Sequence, residues 1–132
     1  MISKGKALMA TILVVDDDPV ILRLVKETLT THGYIILTAG DARQGLIVML
    51  KEQPDLAILD YHMPDRDGLS LLKDIRAVPD LRQTPIIMLT ASANPDVVAK
   101  AIQLGVTDFL AKPIMIYQLL ERVKKVVEKL NK

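Results

Sequence analysis

The chain has 132 residues, with 17 Lys and Arg against 16 Asp and Glu, and neither Cys nor Trp. Balanced charge leaves no electrostatic footprint for nucleic acid or an acidic membrane surface, and the absence of cysteine excludes disulfides, thiolate metal sites and Cys nucleophiles. This length suits one domain with a single core, and no apolar run approaches the roughly 18 residues of a membrane span.

Lys4 and Lys6 ahead of Ala7–Val15 have the outline of a signal peptide, but the apolar run passes straight into Asp16, Asp17 and Asp18 without a small-residue cleavage site. A buried strand over Thr11–Val15 fits better, with residues 1–10 as a loose tail and 11–131 as the domain. Asp18-Pro19 reads as an N-cap and first helical residue, and Gly33 as the stop of that helix. A second strand is expected over Tyr34–Thr38. Asp41 with Gln44 three residues on has the form of a capping box, opening a second helix that ends before Pro54. Leu56–Leu59 is the third strand. Gly68–Ala77 is the third helix, with Leu69, Leu71, Leu72 and Ile75 as its apolar stripe. Ile86–Leu89 is the fourth strand, and Asn94-Pro95-Asp96 opens a fourth helix closed by Gly105. Thr107–Ala111 is a short, mixed fifth strand suited to a sheet edge. Ile114–Leu130 is the longest helix, with Leu119, Val123, Val126, Val127 and Leu130 facing inward.

Four of the five strands are nearly continuous apolar runs, as expected where both faces are covered. Strict alternation of strand and helix implies right-handed βαβ units, hence one doubly wound α/β domain with a parallel sheet and helices on both sides.

Ligands of such a sheet bind beyond the carboxyl ends of its strands. The residues there are Asp16, Asp17 and Asp18 after the first strand, Asp60 after the third, Thr90 after the fourth and Lys112 after the fifth. Two carboxylates about 4 Å apart repel by roughly 4 kcal/mol at an effective dielectric near 20. Without compensation one would take up a proton. An all-oxygen donor set favours Mg²⁺ or Mn²⁺ over zinc, and Mg²⁺ keeps waters and a place for a phosphate oxygen. Asp60, alone at its strand end, is the candidate nucleophile for an acyl phosphate. Lys112 and the metal would neutralise the phosphoryl oxygens, and the Thr90 hydroxyl would donate to one of them. Asp18 is read as a helix cap, and His32 and His62 as solvent-facing. Arg122, Lys124, Lys125, Lys129 and Lys132, interleaved with Glu121 and Glu128, read as a solvated helix face.

These residues resemble the receiver domains of two-component response regulators. The resemblance covers about residues 11–130 and is carried by Ile12–Pro19 (ILVVDDDP), Pro54–Leu69 (PDLAILDYHMPDRDGL), Pro85–Ser92 (PIIMLTAS) and Gly105–Pro113 (GVTDFLAKP). It implies a flavodoxin-like fold of five parallel strands in the order 2-1-3-4-5 with five helices. By position it implies that Asp60 is the phosphoacceptor. Asp17 and Asp60 become direct Mg²⁺ ligands, Asp16 acts through water, and the backbone carbonyl of His62 is the third protein ligand. Thr90 matches the switch hydroxyl, Phe109 the switch aromatic, and Lys112 the family's lysine, whose bond to Pro113 is typically cis.

The implied function is a phosphorylation-dependent switch that catalyses only its own phosphorylation and dephosphorylation. Its donor is a histidine kinase or histidine phosphotransfer protein, in the cytoplasm. Its output, to a downstream protein, runs through the face of the fourth helix, fifth strand and fifth helix, with homodimer formation on that face left open. No direct contact with nucleic acid or membrane is expected. Three positions depart from the family pattern. Phe109 stands where Tyr is frequent, Ile114 where Phe often follows Lys-Pro, and Gly45 where Ala is common, which should soften the second helix. A phosphohydrolase with an aspartyl-phosphate intermediate would want a second Asp at His62, and a phosphorylation-independent adaptor would not need the full acidic set. A dinucleotide site would need glycines where the first turn holds Asp.

Overall fold

The computed structural model describes residues 10–91 and 94–130. In chain order it has β1 (Thr11–Val15), α1 (Pro19–Thr31), β2 (Ile35–Ala39), α2 (Ala42–Glu52), β3 (Leu56–Asp60), α3 (Gly68–Ala77), β4 (Ile86–Thr90), α4 (Pro95–Gln103), β5 (Asp108–Ala111) and α5 (Ile116–Lys129). A 3-10 turn over Pro79–Leu81 precedes β4. All strand pairs are parallel and the order is β2-β1-β3-β4-β5, with β5 at one edge. This is the flavodoxin-like order implied by the resemblance. The tail expected over residues 1–10 lies outside the described residues except for Ala10. That residue is buried, and its carbonyl accepts from Ile35 N–H, so sheet hydrogen bonding begins ahead of β1. Ser92, Asn131 and Lys132 also lie outside the described residues.

Successive strand residues point to opposite sides of the sheet, and this divides the core in two. Ile12, Val14, Leu56, Ile58, Ile87, Leu89 and Leu110 pack with Val25 and Leu29 of α1 and with Leu119 and Val123 of α5. Leu13, Val15, Ala57, Leu59, Ile86 and Met88 pack with Met49 of α2, Leu71, Leu72 and Ile75 of α3, and Ala101 of α4. Every residue of β3 and β4 is buried, which is why those strands read as unbroken apolar runs.

Helix ends follow their sequence signals closely. Asp18, Asp41, Asp67 and Asn94 each accept a backbone N–H of the first turn. The Gln44 side chain reaches Gly40 N–H and not Asp41 N–H, so the capping box closes one residue further out. Gly33 and Gly105, at φ 92° and 78°, terminate α1 and α4. In both, the glycine and the residue after it return hydrogen bonds to the last turn: Gly33 to Thr30 and Tyr34 to Leu29, Gly105 to Ile102 and Val106 to Ala101.

Some expected boundaries shift for physical reasons. Tyr34 is not in β2, because its N–H closes α1; the strand starts at Ile35, opposite Thr11. Asp60 and Thr90 belong to the strands they were expected to follow, since a polar side chain leaves the backbone ladder intact. The longest helix starts at Ile116, two residues after the Ile114 expected from the sequence, and Met115 at its N-cap position makes no side-chain cap. Leu130, expected to face inward, caps the C-terminus of α5 and is 43 % exposed. The helix ends before that residue can reach the core. Gly45 lies inside an uninterrupted α2, where an added Cβ would sit 2.9 Å from Val15 Cγ2. Its small size therefore serves close packing of α2 on β1.

Candidate functional site

At the carboxyl end of the sheet, β1, β3 and β5 deliver Asp16, Asp60 and Lys112 to one place. Lys112 Nζ lies 2.9 Å from Asp16 Oδ2 and 3.0 Å from Asp60 Oδ1. Asp16 is fully buried, Asp60 is 2 % exposed, and Asp17 beside them is exposed to solvent. Carboxylate oxygens of Asp16, Asp17 and Asp60 all lie within 4.8 Å of one another. Three acids against one ammonium leave the cluster short of positive charge. Hard oxygen donors at this spacing, with an exposed member, fit a small divalent cation.

The electrostatics agree with the geometry. Burial first, and the Asp16 charge second, push the Asp60 carboxyl above its ordinary value, against Lys112 and the His62 backbone N–H, which both donate to it. Burial alone would lower the Lys112 ammonium, but its hydrogen bonds to Asp16 and Asp60 outweigh burial and raise it. Lys112 therefore stays charged, and the Lys112–Pro113 peptide bond is cis. Asp18 N–H donates to Asp16 Oδ1 at 2.9 Å, fixing the second oxygen of the most buried acid. A cavity of about 720 Å³ opens over the cluster, lined by Asp17, Pro19, Asp60, His62, Met63 and Lys112 among others.

Thr90 ends β4 beside this cluster and is buried; its carbonyl accepts Lys112 N–H at 2.9 Å. Phe109 is half-buried on the side of the sheet that α2, α3 and α4 cover. A cavity of about 550 Å³ lies between Thr90, Val98, Phe109, Gln118 and Arg122. The structure thus brings Asp16, Asp17, Asp60, Lys112 and the His62 backbone together, with Thr90 adjoining and Phe109 one strand away. The His32 and His62 side chains are exposed. Arg122 is more than a solvated basic residue, since it donates to Asp108 at 2.8 Å and to the Phe109 carbonyl at 3.2 Å.

The β3–α3 loop that carries His62 is held from several directions. Gly68 N–H donates to the Tyr61 carbonyl at 2.7 Å, and a Cβ on Gly68 would fall 2.5 Å from the Asp60 carbonyl oxygen, so only glycine allows this approach. Arg66 pairs with Asp74. Two groups here escape sequence reasoning. Asp65 accepts from Ala42 N–H at 3.1 Å and from Arg43 N–H at 3.0 Å, joining the loop to α2. Desolvation opposes this ionised carboxyl, but those N–H groups, with its own and that of Arg66, hold it below its ordinary value. Arg76 donates to the carbonyls of Leu81, Thr84, Leu104 and Gly105, tying α3 to the 3-10 turn and to the end of α4. Neither pattern is local, so no spacing rule signals it.

Comparison with known proteins gives the same family. The chain is 36% identical over 121 residues to the probable transcriptional regulator ycf27 of Porphyra purpurea, covering 92% of this chain and 49% of that protein. It is 44% identical over 107 residues to the transcriptional regulatory protein GlrR of Escherichia coli strain K12, covering 80% of this chain and 23% of that protein. The chain therefore spans about half or less of the length of these relatives. Among solved structures, the chemotaxis response regulator CheY4 of Vibrio cholerae superposes with a TM-score of 0.85 at 35% identity, covering 89% of this chain and 98% of that one. No helix among the described residues is long and apolar enough to cross a membrane. Residues 12–124 match the model of the response regulator receiver domain, and with the sheet order and the acidic strand ends this chain belongs to that family, the receivers of two-component signalling.

Proposed function

We propose that this domain is a phosphorylation-dependent switch in which Asp60 accepts a phosphoryl group from a histidine kinase or histidine phosphotransfer protein. The supporting observation is the Lys112 ammonium within 3.0 Å of both Asp16 and Asp60, beside the exposed Asp17, at the carboxyl end of the sheet. An Asp60 carboxylate oxygen attacks phosphorus, and the P–N bond of the donor phosphohistidine breaks as the new O–P bond forms. Water later takes the phosphoryl group from Asp60 as phosphate. Asp17, Asp60 and the His62 carbonyl would hold Mg²⁺, with Asp16 acting through water; the ion supplies charge neutralisation for the phosphoryl oxygens. Lys112 offers a fixed positive charge on the opposite side, and its pairing with Asp16 keeps it in place when the Asp60 oxygen is consumed.

The Thr90 hydroxyl, next along the sheet, donates to a phosphoryl oxygen. Its movement frees space for the Phe109 ring in the neighbouring cavity, changing the face made by α4, β5 and α5 that a downstream protein reads. With Phe at this position the switch works through packing, without a ring hydroxyl. Asp60→Asn is expected to abolish Mg²⁺-dependent labelling by acetyl phosphate. Labelling that persists at wild-type stoichiometry in that variant refutes the assignment.

A further inference from the structure

The four leading N–H groups of a helix need partners from outside its own ladder. In α2 these partners come from two separate loops. Asp41, directly before the helix, takes Gln44 N–H at 2.8 Å through its side chain, and its carbonyl opens the helix's own ladder by accepting Gly45 N–H. Ala42 N–H and Arg43 N–H, the first two inside the helix, go to the two carboxylate oxygens of Asp65, 23 and 22 residues downstream. Asp65 belongs to the seven-residue loop between Asp60 and Gly68, whose ends are fixed by Tyr61 N–H on the Leu89 carbonyl and by Gly68 against Asp60. Between those ends, Tyr61 and Met63 rest on the core. Asp65 ties the middle of the loop to α2. The same loop presents the His62 N–H to the Asp60 carboxylate.

We infer that Asp65 is a positioning residue for the Asp60 site: by clamping the middle of the β3–α3 loop to the N-terminus of α2, it holds the His62 backbone, whose N–H meets Asp60 and whose carbonyl would ligate Mg²⁺. The inference rests on the phosphoacceptor and Mg²⁺ reading above. Asp41, the helix's own cap, reaches Gln44 N–H through its side chain. The geometry spends a second acid on the same helix end, and that acid comes from the loop beside the site. Residues that orient metal ligands without touching the metal commonly change affinity by about tenfold or more.

The test compares two caps of one helix. Mg²⁺ is titrated into wild-type protein and into the Asp65→Ala, Asp65→Asn and Asp41→Ala variants, following intrinsic tyrosine fluorescence. Amide hydrogen exchange of Tyr61 to Arg66 is followed in the metal-free proteins. Asp65→Ala should weaken Mg²⁺ binding about tenfold, Asp65→Asn by less, and Asp41→Ala by under about twofold, although both alanine variants lose α2 stability. Exchange of the loop amides should accelerate in Asp65→Ala and stay unchanged in Asp41→Ala. Unaltered Mg²⁺ affinity in Asp65→Ala, or equal weakening in the two alanine variants, overturns the inference alone. Wild-type protein that binds no Mg²⁺ overturns the reading beneath it.

Discussion

Removing the charge of Asp60 should stabilise the fold in the absence of a divalent cation, and the geometry gives the magnitude. Carboxylate oxygens of Asp16 and Asp60 lie within 4.8 Å of each other, a repulsion of about 3.5 kcal/mol at an effective dielectric near 20. Lys112 at 3.0 Å from Asp60 returns about 5.5 kcal/mol on the same scale. Exposed Asp17 adds a further repulsion that solvent screens. The two worked terms leave about 2 kcal/mol of attraction, which Asp17 reduces, so the cost of desolvating a carboxylate that is 2 % exposed decides the sign. Burial and Asp16 raise the Asp60 pKa in the folded protein. The folded state therefore binds this proton more tightly than the unfolded chain does. Stability present below the ordinary carboxylate value is lost as pH rises through the folded one, and the cost is in force at neutral pH.

Asp60→Asn lifts that cost. With the desolvation cost exceeding the remaining attraction, it should raise stability in EDTA by about 1 kcal/mol, or about 4 °C in melting temperature for a chain this long. Mg²⁺ at a hundred times its dissociation constant should stabilise the wild type by about 2.7 kcal/mol, or about 10 °C, by mass action. The variant should keep less than half of that gain. Thermal unfolding followed by circular dichroism, with EDTA and with Mg²⁺, reads all four numbers. An Asp60→Asn protein less stable than wild type by more than about 1 kcal/mol in EDTA would show that the Lys112 attraction dominates, and the argument from charge excess would fail.

Three further outcomes follow from individual contacts. Arg76→Met removes the guanidinium from four carbonyls, of which that of Leu81 keeps Thr84 N–H, and should cost about 3 kcal/mol in urea unfolding; a loss under about 1 kcal/mol would mean water replaces the guanidinium. Gly45→Ala gains about 1 kcal/mol of helix propensity on paper, but its Cβ meets fully buried Val15 at 2.9 Å, so urea unfolding should show a net loss of about 1 kcal/mol. A stabilised variant would refute that steric reading. For Asp65 the folded pKa is depressed, so its contribution is complete above the ordinary carboxylate value and is lost as pH falls through the lowered one. The amide resonances of Ala42 and Arg43 should shift together below about pH 4, and flat resonances across that range would remove the clamp.

Much of this fold is legible in the sequence because its signals are local. Asp18-Pro19, Asp41 and Asn94-Pro95 cap their helices, and Gly33 and Gly105 stop theirs, each through bonds spanning a few residues. Where boundaries move, the competing partner is also near: Tyr34 N–H goes to Leu29 and so cannot open β2. Leu130 has the right spacing for the inward stripe, but periodicity does not say where a helix ends. The Asp65 and Arg76 clamps are different. Their partners lie up to 29 residues away and are backbone groups, which every sequence supplies equally. A side chain that binds backbone far along the chain leaves no pairwise pattern to read.

The two-residue period of the strands also explains how the proposed chemistry and the proposed output are arranged. Asp16 and Asp60 continue the parity of Ile12, Val14, Leu56 and Ile58, and Lys112 that of Leu110, all on the side covered by α1 and α5. Thr90 continues the parity of Ile86 and Met88, and Phe109 lies on that same side, towards α4. The ion-paired trio and the switch pair are thus set on opposite sides of one sheet edge. They meet at the end of the β4–β5 pair, where Lys112 N–H donates to the Thr90 carbonyl at 2.9 Å. A phosphoryl group on Asp60, as proposed, would face Lys112 on its own side, and the Thr90 hydroxyl would have to come round the strand end to reach it. That reach would move the end of β4, which is the backbone leading into α4. On the proposed reading a switch at this strand end needs no path through the core: Thr90, which would sense the phosphoryl group, is already part of the connection to α4.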